Sequence, residues 1–344
     1  MYSVKIEGLT MVRLIRLILE RRGVMREIAL RFSRTVFVVV VIFTLVFAPL
    51  SSRVTAQDGQ GNGGYAIRRD VNLVVLPTTV VDKKGQFVDG LTAKDFSVYE
   101  IVDKKTILQK IEIVEDEDVP VSVGLVIDNS SSMLDKRDGV NAAALTFVEA
   151  SNIEDEMFVV NFNNEAKIDQ EFTGSVSELR EALERVEGRG NTALYDAIIS
   201  SMDYLHKDGK RDKKVLLVVT DGEDRTSTKL EWVVAELQKS DVIVYAVGIL
   251  GDDTPRRERN RARQALERLT KATGGLAFFP ENDPGEIEAD CRKIAHVIRH
   301  QYTLGYYSSI NPADQKFREV KVQVKGYDVR HRTGYFPKPA PVKK

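Results

Sequence analysis

The sequence predicts an α/β protein in which a doubly wound, mostly parallel sheet is inserted into a small β-sandwich-like domain. Between Pro120 and Gln301, apolar strand-like runs alternate with amphipathic helical patterns, which is typical of a parallel sheet with helices on both faces. On either side of that block, short alternating runs are separated by Gly, Asp and Lys, the pattern of antiparallel strands. This order of segments predicts one domain inserted into another.

The central block, residues 119–300, contains the elements of the predicted α/β domain. Its strand candidates are nearly continuous runs of Val, Leu and Ile, as a strand covered on both faces requires. These runs are "VSVGLVID", "MFVVNFN", "KVLLVVTDG", "VIVYAVGIL" and "LAFFP". The helix candidates are "GVNAAALTFVEAS", "SVSELREALERV", "TALYDAIISSMDYL", "TKLEWVVAELQKS", "RARQALERLTKATG" and "EIEADCRKIAHVIRH".

The two flanks, residues 66–118 and 301–337, are predicted to form one β domain together. The first contains "VNLVVLPTTVVD" and "FVDGLTAKDFSVYEIVDKKTILQKIEIV", and the second contains "YTLGYYSS", "REVKVQVKG" and "DVRHRTGYF". Neither flank alone offers enough strands for a stable core. We therefore expect the flanks to pack against each other.

Residues 1–56 have the three-part layout of a secretory signal. Basic residues precede the uncharged run Thr35–Leu50, and the small residues Val54 and Ala56 mark a cleavage site before Gln57. The alternative is an uncleaved inner-membrane anchor, since the apolar run is only slightly shorter than a typical membrane-spanning helix. We favour cleavage, and hence an exported protein of the periplasm, cell envelope or extracellular medium that contacts a membrane only through this segment.

The neighbouring segments bear on the same prediction. The basic region is unusually long when it is read from Met1, and it has an ordinary length from Met11 or Met25. Residues 57–65 are Gly-rich and are predicted to be a flexible linker. Residues 338–344 are rich in Pro and Lys and are predicted to be a disordered tail.

Charge and cysteine content narrow the class of protein. Residues 1–56 carry nine Lys and Arg and three Asp and Glu, a net charge of +6; since the whole chain is −1, residues 57–344 carry −7. A protein that neutralises nucleic-acid phosphates is expected to be basic, so this balance argues against a nucleic-acid partner. The single cysteine, Cys291, lies in a helical pattern and is interpreted as a small buried apolar residue.

Oxygen-bearing side chains fall at three points of the central block where a ligand is expected. Open α/β sheets bind ligands at the carboxyl ends of their strands, so side chains at these points should converge. Carboxylates and hydroxyls are hard ligands, which suit Mg²⁺, Ca²⁺ or Mn²⁺ rather than zinc or copper. The candidate metal ligands are Asp128, Ser130, Ser132, Thr192 and Asp221.

The segment "DNSSSM", Asp128–Met133, fits the Asp-x-Ser-x-Ser pattern of the von Willebrand factor A-type domain, and Thr192 and Asp221 follow in that family's order. The sequence therefore resembles this family, whose metal-ion-dependent adhesion site corresponds to the five candidate ligands. With "VDGLTAKDFSVYE" before the central block and "QYTLGYY" and "GYF" after it, nearly all of the mature chain resembles exported bacterial proteins that contain such a domain. Ser131 stands where glycine is common, which removes no ligand.

Each candidate also has a simpler interpretation. Ser130 and Ser132 are typical helix caps, and Asp221 with Gly222 is typical of a turn. We favour the metal site because all five candidates are predicted to meet at one edge of the sheet.

Other motifs carry less functional weight. His296 and His300 lack the glutamate of a metalloprotease helix and are interpreted as solvated or packed helix residues. The arginine-rich segment Arg256–Arg263 is interpreted as a solvated loop and helix start rather than a nucleic-acid patch. For Asp196, four residues after Thr192, a role beside the metal and an ordinary helix position stay open.

The resemblance implies a non-enzymatic binding module, in which a divalent ion is completed by an Asp or Glu carboxylate of a protein partner. A metal-assisted hydrolase is an alternative, but the motif supplies no general base except Asp128 and Asp221. A scaffold subunit of an envelope assembly, without metal binding, is a further alternative. Without an ion the two aspartates should repel each other, so Asp221→Ala is expected to stabilise the metal-free protein.

Overall fold

The computed structural model describes residues 73–115, 118–184, 189–222, 224–251, 254–281, 283–310 and 315–337. The predicted leader, linker and tail lie outside these residues, as does the beginning of the first predicted β segment. All of the described residues fall within one of the two units into which the chain divides, Arg68–Lys344. Within the described ranges, no helix combines the length and the apolar character that crossing a membrane requires.

The elements follow the predicted order along the chain. The strands are β1 (Leu73–Val81), β2 (Phe96–Val102), β3 (Lys105–Gln109), β4 (Ile111–Glu115), β5 (Val121–Asp128), β6 (Glu156–Phe162), β7 (Ala166–Thr173), β8 (Lys213–Thr220), β9 (Ile243–Gly248), β10 (Ala277–Phe278), β11 (Tyr302–Tyr307), β12 (Arg318–Val324), β13 (Asp328–His331) and β14 (Gly334–Tyr335). The helices are α1 (Arg137–Ala150), α2 (Val176–Glu184), α3 (Leu194–Asp208), α4 (Leu230–Lys239), α5 (Arg256–Thr273) and α6 (Pro284–Arg299), and a 3₁₀ helix, Ser131–Lys136, precedes α1.

The central block forms a six-stranded sheet with the strand order β10-β9-β8-β5-β6-β7. All neighbouring strands run parallel except β7, which pairs antiparallel with β6 at the edge. Apolar side chains of α1, α2 and α6 pack on one face of the sheet, and those of α3, α4 and α5 pack on the other. The predicted doubly wound, mostly parallel α/β fold is therefore confirmed.

Strand β5 lies in the middle of this sheet and is buried along its whole length. Leu125 and Ile127 join the core beneath α1 and α6, whereas Val126 faces the opposite core. Gly124 also faces that side, where an added Cβ would lie 2.5 Å from the Phe158 ring. The strand is thus held by dense packing on both faces, and its carboxyl end has a defined position.

Strand β7 was not predicted from the sequence. Its residues, "AKIDQEFT", are mostly polar and only partly buried, because an edge strand buries less of its surface than a central one. Its backbone is paired through β6 alone. Apolar patterning therefore carries little information about such a strand.

The strands of the two flanks pair with one another in two four-stranded sheets. Their orders are β13-β1-β11-β4 and β14-β12-β2-β3, so each sheet contains strands from both ends of the described chain. Apolar side chains from both sheets share one core cluster: Val74, Leu76, Val80, Phe96, Val98, Tyr302, Leu304, Tyr306, Val320, Val322, Val324 and Tyr335. Hydrogen-bonded pairing across the chain explains how two short flanks can share a core.

A buried polar network crosses the interior of these flank sheets. Glu100 accepts hydrogen bonds from the hydroxyls of Tyr306 at 2.9 Å and Tyr335 at 2.6 Å, and Arg318 lies 3.8 Å from its carboxylate. Both charged side chains are almost completely buried. Burial and the neighbouring carboxylate raise the pKa of Tyr335 to about 12, so this phenol stays protonated and donates to Glu100.

The flank sheets contact the central block near the amino-terminal ends of its strands and at α4. Phe87 stacks on His300 with ring centroids 5.3 Å apart, and the side-chain amide of Gln301 donates to the Tyr245 hydroxyl at 3.0 Å. At the carboxyl end of α4, the Arg332 guanidinium donates to the Gln238 carbonyl at 2.7 Å. These contacts join the two parts by side chains as well as by the chain itself.

Candidate metal centre

Asp128 is the last residue of β5, and its carboxylate lies beneath the site. Its Oδ1 accepts the Ser130 N–H at 2.9 Å, and its Oδ2 accepts the Thr220 hydroxyl at 2.5 Å. The side chain is fully buried. Burial raises the pKa of this carboxyl to about 6, although the hydrogen bonds from Thr220 and Ser130 act in the opposite direction.

Ser130 and Ser132 lie at the start of the 3₁₀ helix that follows β5. Their Oγ atoms are 3.2 Å apart, and Ser132 Oγ donates to Asp221 Oδ1 at 2.9 Å. Ser130 occupies the N-cap position of this short helix, but its side chain makes no capping hydrogen bond. The capping interpretation of Ser130 is therefore wrong, and its hydroxyl faces the other candidate ligands.

Thr192 reaches the site on the loop that precedes α3. This loop is held against the first one, since the Ser131 N–H and hydroxyl donate to the Gly190 carbonyl at 3.2 and 3.3 Å. Gly190 has a φ of +85°, a conformation that glycine adopts without strain. On the other side, the Arg225 N–H donates to the Thr192 carbonyl at 2.8 Å. Ser131, which stands where glycine is common, thus links two loops.

The five predicted residues lie together at the carboxyl end of the sheet. Ser130, Ser132, Thr192 and Asp221 line a cavity of about 390 Å³, and Asp128 lies below them through its bond to Ser130. They come from three segments, at the ends of β5 and β8 and in the loop before α3. We call Asp128, Ser130, Ser132, Thr192 and Asp221 the site residues.

Lys136, which no sequence pattern indicated, lines the same cavity. Its Nζ lies 2.6 Å from Asp221 Oδ2, and the side chains are 7% and 2% exposed. Lys136 lies four residues after Ser132 in a 3₁₀ helix, which has three residues per turn, so the spacing alone does not place the two side chains on one face. Its partner Asp221 is 85 residues away in sequence, so no local signal indicated this contact.

This ion pair contradicts the expected effect of Asp221→Ala. Lys136 compensates the charge of Asp221, and Asp221 is the smallest of the influences on the pKa of Asp128. Removing Asp221 would leave the Lys136 ammonium buried without its anion, which is strongly destabilising. Because of this ion pair, we now expect the substitution to destabilise the metal-free protein.

The donor set fits a divalent ion of the hard class. Two carboxylates and three hydroxyls are gathered around one cavity, and Mg²⁺, Ca²⁺ and Mn²⁺ prefer such oxygens. In the described part of the chain, no group of three or more His, Cys, Asp and Glu side chains is placed to hold a metal. An ion at this edge would therefore need oxygens from the hydroxyls as well as from the carboxylates.

The remaining candidates from the sequence have other partners. The rings of His296 and His300 lie 3.9 Å apart and both pack against Phe87. Asp196 accepts a hydrogen bond from the Thr228 hydroxyl at 2.6 Å. The Arg263 guanidinium lies 4.0 Å over the Phe279 ring in the first half of α5. Cys291 is buried in α6, which raises the pKa of its thiol to about 12.

The model of the von Willebrand factor type A domain family matches residues 122–289, the segment that contains all of the site residues. Residues 122–289 form a von Willebrand factor type A (VWA) domain. Integrin alpha-11 of Mus musculus is 37% identical over 81 residues, and that of Homo sapiens is 36% identical over 81 residues. The match covers 22% of this chain and 7% of each integrin, so the chain spans a small part of these relatives.

Solved structures similar to the chain include other VWA domains. A von Willebrand factor type A protein from Catenulispora acidiphila has a TM-score of 0.45 and 16% identity, with 66% of this chain and 49% of that chain covered. BatB from Bacteroides thetaiotaomicron has a TM-score of 0.43 and 16% identity, with 52% and 98% covered. Proximal thread matrix protein 1 from the mussel byssus, described with zinc in its MIDAS motif, has a TM-score of 0.45 and 15% identity, with 56% and 48% covered.

Proposed function

We propose that the VWA domain is a metal-dependent protein-binding module. In this proposal the site residues hold a divalent ion, Mg²⁺ or else Ca²⁺ or Mn²⁺, and an Asp or Glu carboxylate of a protein partner completes its shell. The observation that carries the proposal is the meeting of five oxygen-bearing side chains from three segments at one open cavity. Domains of this type commonly mediate metal-dependent protein binding.

The chemistry of the donors supports an external carboxylate. Three of the site residues are neutral hydroxyls, so they bind an ion without cancelling its charge. Bound there, the ion supplies a strong positive charge at a cavity that opens to solvent. The hydroxyls of Ser130 and Ser132 lie on the cavity wall, where an incoming oxygen can reach the same ion.

A metal-assisted hydrolase is less well supported, because it needs a general base that reaches the substrate. Asp128 is fully buried and both of its oxygens accept hydrogen bonds from Ser130 and Thr220. Asp221 is occupied by Ser132 and Lys136. These partners favour a binding role for both aspartates.

The proposal is tested with the Ser130→Ala/Ser132→Ala double variant. Saturating Mg²⁺ should raise the melting temperature of the wild type, since a ligand at a hundred times its Kd stabilises a folded protein by about 2.7 kcal/mol. The double variant should show no such rise. Capture of partner proteins from cell envelopes should likewise be lost in the double variant, and in wild type after EDTA.

Ser131→Ala is the matched control, because Ser131 lies between the two ligands and its hydroxyl contacts the Gly190 carbonyl instead. This variant should keep its response to Mg²⁺. If the double variant responds to Mg²⁺ as the wild type does, the site residues do not bind the ion. If the wild type captures partners equally in Mg²⁺ and EDTA, the scaffold alternative is favoured.

We also propose that the protein is exported, with cleavage of residues 1–56. The basic residues, the uncharged run Thr35–Leu50 and the small residues before Gln57 support this proposal. Amino-terminal sequencing of the protein from cell envelopes should show a start near Gln57. A start at or before Thr35 would indicate a membrane anchor instead.

A further inference from the structure

Lys136 places a positive charge inside the proposed metal centre. It ends the 3₁₀ helix Ser131–Lys136, and its side chain is 7% exposed. Lysine is almost never buried without an anionic partner, and here the partner is Asp221, at 2.6 Å. Lys136 is therefore not a surface residue that happens to lie near the site. Its ammonium is enclosed together with one of the site residues.

Both oxygens of Asp221 are occupied. Oδ1 accepts from the Ser132 hydroxyl at 2.9 Å, and Oδ2 accepts from Lys136 Nζ at 2.6 Å. A hydroxyl can rotate and offer its lone pairs to an ion while it keeps a hydrogen bond. An ammonium has only donors and a fixed positive charge, so it opposes any cation that approaches the same carboxylate.

The sum of the charges at the site indicates under which condition a divalent ion binds without excess positive charge. Asp128 and Asp221 carry two negative charges when ionised, and Lys136 offsets one of them. A divalent ion added to this set leaves a net charge of +1 among charged side chains that are almost completely buried, where repulsion between like charges is strong. One more carboxylate restores neutrality.

We propose that Lys136 is the resident cation of the metal-free site and that it competes with the divalent ion for Asp221. This inference rests on the proposed metal-dependent binding of a partner. Lys136 weakens the affinity for the ion until the partner's carboxylate supplies the missing negative charge. Ion and partner then bind together, because each raises the affinity for the other. Lys136 thus makes binding of the ion depend on binding of the protein partner.

The test is the affinity of the full chain for Mg²⁺ alone, measured by titration calorimetry in the wild type and in Lys136→Met. Methionine keeps the length of the side chain without its charge. The variant should bind Mg²⁺ at least ten times more tightly than the wild type. Lys239→Met is the matched control, since this exposed lysine pairs with Glu236 at 2.7 Å at the carboxyl end of α4. Its affinity for Mg²⁺ should equal that of the wild type.

The outcomes separate this inference from the proposed function. If no protein binds Mg²⁺, the proposed metal site is wrong and the inference is overturned with it. If the wild type binds Mg²⁺ and Lys136→Met binds it no more tightly, the metal site stands and the role of Lys136 is overturned.

A second measurement uses the wild type, in case Lys136→Met does not fold. Acetylation of Lys136 by an activated ester is followed by mass spectrometry, with and without saturating Mg²⁺. Displacement of the ammonium from Asp221 should raise its rate of acetylation several-fold, while that of Lys239 stays constant. An unchanged rate at Lys136, under conditions where Mg²⁺ binds, would overturn the proposal.

Discussion

Asp128→Asn should remove a pH-dependent loss of stability from the metal-free protein. The pKa of Asp128 is raised from 3.8 to about 6, first of all by burial. Between these values the native carboxyl keeps a proton that the unfolded chain has lost. The contribution of this group is therefore greatest below pH 3.8, and it is lost as the pH rises through 6.

The magnitude follows from the two pKa values. A rise from 3.8 to about 6 corresponds to a loss of about 3 kcal/mol in the free energy of unfolding once Asp128 is ionised in both states. Of this, about 2 kcal/mol is lost between pH 4.5 and 7.5. Asparagine keeps an oxygen that can accept the Ser130 N–H and carries no charge, so the variant should resemble the wild type with a protonated Asp128.

The assay is urea unfolding of the wild type and Asp128→Asn in EDTA at several pH values from 4.5 to 7.5. The difference in free energy of unfolding, variant minus wild type, should increase by about 2 kcal/mol across this range. Comparing the two proteins at each pH cancels the titration of all other groups and the constant cost of the substitution. With saturating Mg²⁺, the wild type should regain stability and the variant should not.

Asp95→Asn is a control of opposite sign. Hydrogen bonds from Thr92 lower the pKa of Asp95, which is exposed, so its ionised form favours the native state at neutral pH. The difference between variant and wild type should therefore fall as the pH rises towards the ordinary pKa of 3.8, and it should stay nearly constant from pH 4.5 to 7.5. A difference for Asp128→Asn that is constant with pH would refute the reasoning, because it would mean that burial does not oppose ionisation of Asp128.

Three further predictions concern packing and domain structure. Gly124→Ala should lower the free energy of unfolding by about 1–3 kcal/mol, since its Cβ would overlap an aromatic ring, whereas Gly139→Ala in α1 should not; equal urea midpoints for these variants would contradict the packing. Arg318→Met should cost about 3–5 kcal/mol by leaving Glu100 buried without its cation, and adding Glu100→Gln should recover part of this loss in thermal unfolding. Residues 119–300, expressed alone, should fold and respond to Mg²⁺ in a melting experiment; an insoluble product beside a stable full chain would show that the proposed boundary is wrong.

Much of the central fold was predictable because its signals are local. The buried strands β5, β6, β8 and β9 are continuous apolar runs, and the helices between them have one apolar face. Burial on both faces of a strand, or on one face of a helix, imposes such a pattern on the sequence itself. The edge strand β7 has one neighbour and little burial, so its pattern was too weak to detect.

The identity of the site residues was likewise contained in the sequence. Hydroxyls and carboxylates that follow buried strands must converge at one edge of a parallel sheet, since all of its strands end there. The sequence therefore indicated which oxygens meet, and its acidic charge balance argued against a nucleic-acid partner.

Only the tertiary structure decided how the charges at that site are balanced. The pairs Lys136–Asp221 and Thr220–Asp128 join residues 85 and 92 positions apart, and no local period relates them. Their geometry depends on how the 3₁₀ helix packs against the ends of β5 and β8. Desolvation acts in the same way, since the raised pKa of Asp128 arises from burial by the whole sheet. Long-range packing and exclusion of water are properties of the folded chain. The sequence pattern therefore identified the candidate ligands, whereas the folded structure determined how their charges are balanced.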